Sequence, residues 1–417
     1  MSVLLTDNSC LQGSQAAGEG AVVGQADDIG GSVVVIMAGG GTGGHLYPGL
    51  AVAEKLKERF GRRLRLVWAA TPRAIDRRLL SGYGSDYVGQ EVQPVPGSIF
   101  KLPGFYGAWR RTCEQWRRFM KEQRVSVVVA LGGYAAGPAA REAFRWGVPV
   151  VLINPDRLPG RANRFLLGRA QTVFSQWPMP EWRKRCGGEI VAAGCPIREN
   201  ILNGQRAVAM ARLGLAAERE TLVITGASLG AKTINDAVLH IARHEPRLRA
   251  MLSDDGGGGN WQILHLTGLD QAAAVRKEVS ELGLAHWHVV NYCDEMELVW
   301  AAADLAIARS GAGLCAELTA CGVPAILLPY PFHRDRHQEA NGRELVNGAA
   351  AVMLPDQKDA ARTSALLVPV LLDLMSSMAK RQRMRAAALA MAKPRAAGQI
   401  SEAIVKLVCA GVDAAAK

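Results

Sequence analysis

The stretch MAGGGTGGHLYPG, residues 37–49, carries Gly39, Gly41 and Gly44 at G-x-G-x-x-G spacing and continues into His45. Glycines at that spacing let backbone N–H groups close on an anion at a helix N-terminus. A histidine just after them falls in the first turn of the next helix, where the dipole favours the neutral imidazole that can accept a proton. Such a ring acts as a general base or simply hydrogen-bonds its own loop; residue type leaves both open. A nicotinamide-binding loop would be followed about 20 positions on by an acidic residue at the end of the second strand, holding a ribose. Here that strand, LRLVWAAT, ends in Ala69, Ala70 and Thr71, so the oxidoreductase reading loses its discriminating residue.

A second glycine turn, TGASLGAKTIND, sets Gly226, Ser228 and Gly230 before another helix. A third helix starts at Ala312, Gly313 and Leu314 after RSGAG, with Glu317 inside it. Helix N-termini and backbone amides of this kind can receive an anion.

These turns need strands before them and helices after them. The apolar runs 33–36, 64–68, 125–130, 150–153, 221–225, 262–266, 304–308 and 324–328 alternate with helix-like segments, which predicts parallel sheets flanked by helices. The strand-glycine-helix opening occurs twice, so two doubly wound domains fit. Gly194 and Pro196 in VAAGCPIREN mark the boundary between them. After Pro394, Ile400, Ala403, Ile404, Leu407 and Val408 have helical spacing and predict a last helix packed on a core, across the cleft from the second domain. The expected division is a flexible tail 1–30, a first domain 31–193, a second domain 194–393 and a returning helix 394–417.

The chain has 417 residues, 49% hydrophobic, with a formal charge of +11. That length suits two or three domains, and the charge predicts an anionic partner: nucleic acid, acidic lipid or a phosphate-bearing substrate. No nucleic-acid reading module is present, so nucleic acid is not expected. The eight cysteines form no C-x-x-C pair, which reads as a reduced cytosolic protein. No apolar run approaches the roughly 20 residues of a membrane span. In GFYGAWRRTCEQWRRFMKEQR, residues 104–124, Phe105, Trp109, Trp116 and Phe119 or Met120 follow helical spacing beside Arg110, Arg111, Arg117 and Arg118. This is an interfacial helix meeting lipid headgroups, or a helix packing its aromatic stripe on its own sheet.

The stretch AGGGTGGHLYPGLAVAEKL resembles the N-terminal signature of the bacterial N-acetylglucosaminyltransferase family that makes lipid II. ALGGYAAGPA, VVLINPDRLPGRANRFL, AAGCPIREN, TGASLGAKTIND, ARSGAGLCAELTACGVPAILLPY and HRDRHQEANG continue the resemblance in the family's order across about residues 33–393. It implies an α/β GT-B fold: two Rossmann-like doubly wound domains facing a cleft. It also implies an inverting transfer of N-acetylglucosamine from UDP-N-acetylglucosamine to the C4 hydroxyl of undecaprenyl-diphospho-N-acetylmuramoyl-pentapeptide, with no cofactor and no metal. The partners implied are the UDP-sugar, the undecaprenyl-linked acceptor and the anionic surface of the inner membrane, which the enzyme would meet peripherally on the cytoplasmic face.

The resemblance implies roles residue by residue. His45 is the candidate base, and Thr42, Gly43, Gly44 and Tyr134 line the diphosphate side of the acceptor site. Glu317 holds the ribose, and Arg198 contacts the donor nucleotide. Ser228, Ala312, Gly313 and Leu314 receive the donor diphosphate, and His337 and Gln338 face the sugar. Cys293 stands where the family places an apolar residue against uracil, although ordinary core packing suits it equally. Two departures stand out: Asn154, Pro155 and Asp156 replace a Glu-Gln-Asn run, and Leu229 replaces a glutamine. Asp156 brings negative charge close to the donor, which leaves room for another UDP-sugar, another lipid acceptor, or a weakly active membrane-associated binding protein on the same fold.

Overall fold

The computed structural model describes residues 32–41, 43–83, 85–96, 98–226, 230–254, 259–332 and 335–415; the expected tail 1–30, Thr42, Ser228 and Leu229 lie outside them. Seven parallel strands form the first sheet: β1 (Val33–Gly39), β2 (Leu64–Ala70), β3 (Asp86–Gly89), β4 (Val125–Gly132), β5 (Val150–Asn154), β6 (Thr172–Ser175) and β7 (Glu189–Val191), in the order 3-2-1-4-5-6-7. Six parallel strands form the second: β8 (Glu220–Thr225), β9 (Trp261–Leu266), β10 (Trp287–Val290), β11 (Leu305–Ala308), β12 (Ala325–Leu327) and β13 (Ala351–Met353), in the order 10-9-8-11-12-13. The central strands are unbroken apolar runs because helices cover both faces; every residue of β1 is buried.

Around the first sheet lie α1 (Gly43–Phe60), α2 (Ala74–Ser81), α3 (Leu102–Glu122), α4 (Ala136–Trp146) and α5 (Arg161–Leu167). The second domain carries α6 (Glu199–Leu202), α7 (Arg206–Leu213), α8 (Lys232–His244), α9 (Pro246–Leu252), α10 (Ala272–Glu281), α11 (Met296–Ala302), α12 (Ala312–Ala320), α13 (His337–Asn347), α14 (Ala360–Ser376) and α15 (Met378–Met391). The last helix, α16 (Ala396–Ala415), turns back to the first domain. Its Ile400, Ile404 and Val408, spaced four apart on one face, join the buried cluster of Leu46, Leu50, Leu56 and Phe60 from α1 and Leu131 from β4. Lys393 pins this crossing by donating to the Ala192 and Gln176 carbonyls at 2.7 and 3.3 Å.

The basic aromatic segment is one helix, α3, and its inner row corrects part of the expected lipid face. Ala108, Thr112, Cys113, Trp116 and Met120 are buried. Trp116 is fully enclosed, donating from Nε1 to Gln90 Oε1 at 2.8 Å, because its spacing from Thr112 and Met120 puts it on the sheet side. Arg117 is also engaged: with Arg141 and Arg145 it surrounds the buried Glu142 carboxylate at 3.2, 3.2 and 3.7 Å. Trp109 is half-buried against Gly137, where a Cβ would stand 2.5 Å from its ring. Exposure concentrates in the turn before the helix and in its first turns, at Ile99, Phe100, Leu102 and Tyr106, with Arg110, Arg111 and Arg118 exposed beyond them. No single described helix is long and apolar enough to cross a membrane.

Truncating Ile404 tests whether α16 is an integral part of the first domain. Ile404→Ala leaves a cavity in a fully buried site and is expected to cost about 2–5 kcal/mol in chemical denaturation. A loss below about 1 kcal/mol would mean the helix rests on the domain without completing its core.

Candidate functional site

The first glycine loop is held by a carboxylate that its sequence does not advertise. Asp76, in the first turn of α2, is fully buried and accepts from Gly41 N at 2.8 Å and from Thr71 N and Oγ1 at 3.0 and 2.6 Å. A Cβ on Gly40 would stand 2.5 Å from Asp76 Oδ2, and Gly41 has φ of +86°, so both positions need glycine. The acid missing from the end of β2 is supplied five residues beyond Thr71, yet it braces the loop rather than facing a ribose. Arg73 adds a bond to the Gly41 carbonyl at 3.0 Å, and the Tyr134 hydroxyl closes over Gly41.

His45, the third residue of α1, lies on the Gly132–Gly133 turn at the end of β4. Its ring atoms come within 3.1–3.2 Å of where Cβ atoms would stand on those glycines, whose φ values are +97° and +72°. Burial lowers the imidazole below its ordinary range. The Asp156 carboxylate, a hydrogen bond with the Gly40 backbone and the charge of Asp76 pull it back up, and His337 opposes them. The charge of His337, from the second domain, therefore acts on His45. Gly43 and Gly44 open α1 beside the ring, Gly44 exposed to the cleft side of the loop.

On the second domain, Ala312, Gly313 and Leu314 form the first turn of α12. Glu317, one turn on, accepts from Trp300 Nε1 at 2.8 Å. Burial pushes its carboxyl up, while the Trp300 bond and the Arg198 charge pull it down. Arg198 lies over the Tyr47 ring at 5.0 Å, joining the interdomain segment to α1. Cys293 is half-buried between β10 and α11 at the edge of the second core, with its thiol pushed up by burial. Its neighbour Tyr292 reaches Tyr47 hydroxyl to hydroxyl at 3.0 Å, and Arg78 both stacks on Tyr292 and bonds Asp294 at 2.8 Å. At the start of α13, His337 Nδ1 meets Asp335 at 2.6 Å and Gln338 Oε1 accepts from Tyr330 N at 2.9 Å.

The altered run after β5 crosses the cleft. Asp156 Oδ1 accepts from Asn341 Nδ2 at 2.8 Å, Arg157 N donates to Asn341 Oδ1 at 2.8 Å, and Arg157 Nε bonds Glu344 at 2.9 Å. Asn154 is buried, donating to the Asp156 carbonyl at 2.7 Å and accepting from Asn163 Nδ2 at 2.8 Å.

The fold thus groups Gly43, Gly44, His45 and Tyr134 around the first glycine loop and links Asp156 to α13, which begins with His337 and Gln338, while Arg198, Glu317, Ala312 and Cys293 belong to the second domain. Phe105, Trp109, Arg110, Arg111 and Arg118 belong to α3, which packs on α4. Asp76, Asn341 and Tyr292 escaped the sequence reading. Asn341 had one usable signal: it is four residues after His337 and shares its helix face.

The loops that carry these groups follow the carboxyl ends of both parallel sheets, where open α/β folds bind ligands. A model of the glycosyltransferase family 28 N-terminal domain matches residues 35–175, and one of its C-terminal domain matches residues 221–400. A protein of Clavibacter michiganensis subsp. michiganensis named UDP-N-acetylglucosamine--N-acetylmuramyl-(pentapeptide) pyrophosphoryl-undecaprenol N-acetylglucosamine transferase is 36% identical, over 90% of this chain and 97% of its own. A relative of the same name from Halothermothrix orenii is 31% identical over 86% and 95%. In fold, the chain is similar to the crystal structure of Acinetobacter baumannii MurG, with a TM-score of 0.66, 24% identity and coverage of 90% and 99%. A UDP-GlcNAc 2-epimerase of Neisseria meningitidis bound to UDP-GlcNAc superposes at 0.59, with 14% identity and coverage of 90% and 100%. With both domain models matched and relatives above 30% identity along most of its length, the chain belongs to glycosyltransferase family 28, among the pyrophosphoryl-undecaprenol N-acetylglucosamine transferases.

Proposed function

We propose that this chain moves N-acetylglucosamine from UDP-N-acetylglucosamine to the C4 hydroxyl of undecaprenyl-linked N-acetylmuramoyl-pentapeptide diphosphate, giving lipid II. The observation that carries this reading is the bridge from the first domain to the helix that begins at His337, where Asp156 accepts from Asn341 at 2.8 Å, together with two glycine-opened helix starts at α1 and α12. The acceptor diphosphate takes the amides at Gly43 and Gly44, with Tyr134 above them. The donor sugar lies against His337 and Gln338, and the UDP runs along the start of α12 to Glu317 and Arg198. His45 takes the C4 proton as that oxygen bonds the anomeric carbon, and UDP leaves from the opposite face with the bonding electron pair. The helix dipole and amides at Ala312–Leu314 stabilise the charge on the departing diphosphate.

The lipid tail needs a surface near the acceptor loop. Ile99 and Phe100, in the turn before α3, and Leu102 and Tyr106, in its first turns, are all exposed and form the apolar ledge we assign to the acyl boundary, with Arg110 and Arg111 meeting anionic headgroups. This gives a peripheral protein at the cytoplasmic face of the inner membrane, with the acceptor on residues 31–193 and the UDP-sugar on 194–393.

His45→Ala is expected to bind UDP in calorimetry as wild type does, yet to lose at least about 100-fold in turnover with a lipid I analogue. Near-normal turnover removes His45 from the chemistry. Because burial holds His45 low and the base works only when deprotonated, kcat/KM should rise with pH through a midpoint below the usual imidazole value of about 6.5. A midpoint well above it contradicts the assignment. For the membrane surface, the double variant Phe100→Ser with Arg111→Gln should bind anionic vesicles several-fold more weakly while keeping its affinity for soluble UDP-sugar. Unchanged vesicle binding at low salt returns that ledge to solvent.

A further inference from the structure

Asp156 stands at the carboxyl end of β5, with its backbone fixed from behind. Asn163 donates to Asn154, and Asn154 donates to the Asp156 carbonyl, while the Asp156 carboxylate reaches the second domain. There it meets α13 at two successive turns. Asn341 is fully buried, and both ends of its amide are taken by this one loop: Nδ2 by the Asp156 carboxylate and Oδ1 by Arg157 N. Glu344, three residues on, takes Arg157 Nε. Asn341 Nδ2 also reaches the Ser310 carbonyl at 3.3 Å, tying the contact to the loop that opens α12. His337 lies one turn before Asn341 on the same helix.

We propose that Asp156 is a positioning residue for the transfer: by gripping Asn341 across the cleft, its carboxylate sets the donor-side helix α13 at working distance from His45 and supplies the negative charge that stabilises the imidazolium formed as the acceptor hydroxyl loses its proton. The proposal rests on the transferase reading above. Other charged groups facing His45 are Asp76 from α2 and His337 from α13, together with the Gly40 backbone. Asp76 is already engaged by three donor groups of its own loop system, Gly41 N and Thr71 N and Oγ1. Asp156, whose charge acts on His45, is the carboxylate that also bonds the second domain. A proton gained by His45 is then balanced by a charge whose place depends on the cleft being closed, so closure and base strength are set by one side chain.

Two variants separate the charge from the grip. Asp156→Asn keeps an oxygen for Asn341 Nδ2 and loses the charge; Asp156→Ala loses both. Purified full-length wild type and both variants are assayed with UDP-N-acetylglucosamine and a soluble lipid I analogue across pH, with thermal melts on each. With the carboxylate gone, protonated His45 is less favoured, so the acidic limb of kcat/KM should move to lower pH in both variants while kcat falls about tenfold. Only Asp156→Ala should also raise the donor KM, by roughly tenfold, since α13 has lost its partner. An acidic limb that stays in place in Asp156→Asn, or an Asp156→Ala donor KM equal to wild type, overturns the proposal. Wild type that transfers no sugar overturns the transferase reading instead, and a His45→Ala protein that keeps both activity and the limb overturns the base.

Discussion

The seating of His45 on Gly132 and Gly133 is the contact on which the rest of the site depends. The ring can lie there only because two consecutive residues at the end of β4 lack side chains and adopt positive φ. That seat fixes where α1 must begin, and the start of α1 fixes the glycine loop before it. The loop in turn needs Asp76, because the buried Gly41 N–H would otherwise lack the acceptor that holds it. A chain of short-range requirements therefore runs from the core of the first sheet to the mouth of the cleft.

Electrostatics at that mouth are a balance rather than a single strong field. His45 is pushed toward neutrality by burial and toward protonation by carboxylates from two different elements. Glu317 is pushed toward the neutral acid by burial and held back by Trp300 and Arg198. In both cases the opposing influences arrive from segments distant in sequence, so the protonation state of each group reports on how those segments are assembled. The net positive charge of the chain lies partly elsewhere: Arg117, Arg141 and Arg145 neutralise the buried Glu142 between α3 and α4.

Motifs whose physics is local were legible in the sequence. Glycine turns before helices, His45 after the first of them, Glu317 inside the third helix and the long central strands all carry their cause within about a dozen residues. Asp76 did not, since its partner Gly41 lies 35 positions away, and Asn341 meets Asp156 across 185 positions. The short strands β3, β10 and β13 hold three or four residues each and lack the length that makes an apolar run stand out. The side of Trp116 was open in the sequence because an aromatic stripe at helical spacing has the same signature whether it faces a bilayer or a sheet; the presence of Gln90 and α4 behind it distinguishes the two.

The return of α16 to the first sheet means that the two domains are joined by two strands of chain, one leaving near residue 194 and one coming back near residue 393. During synthesis this reverses the usual order in which domains mature. The second domain has all of its strands once β13 emerges, whereas the first, although made earlier, still exposes the groove meant for Ile400, Ile404 and Val408. A ribosome that stalls or terminates within the last twenty-odd codons would therefore release a protein with a finished second domain and an unfinished first one, and quality control would recognise the oldest part of the chain as the defective one.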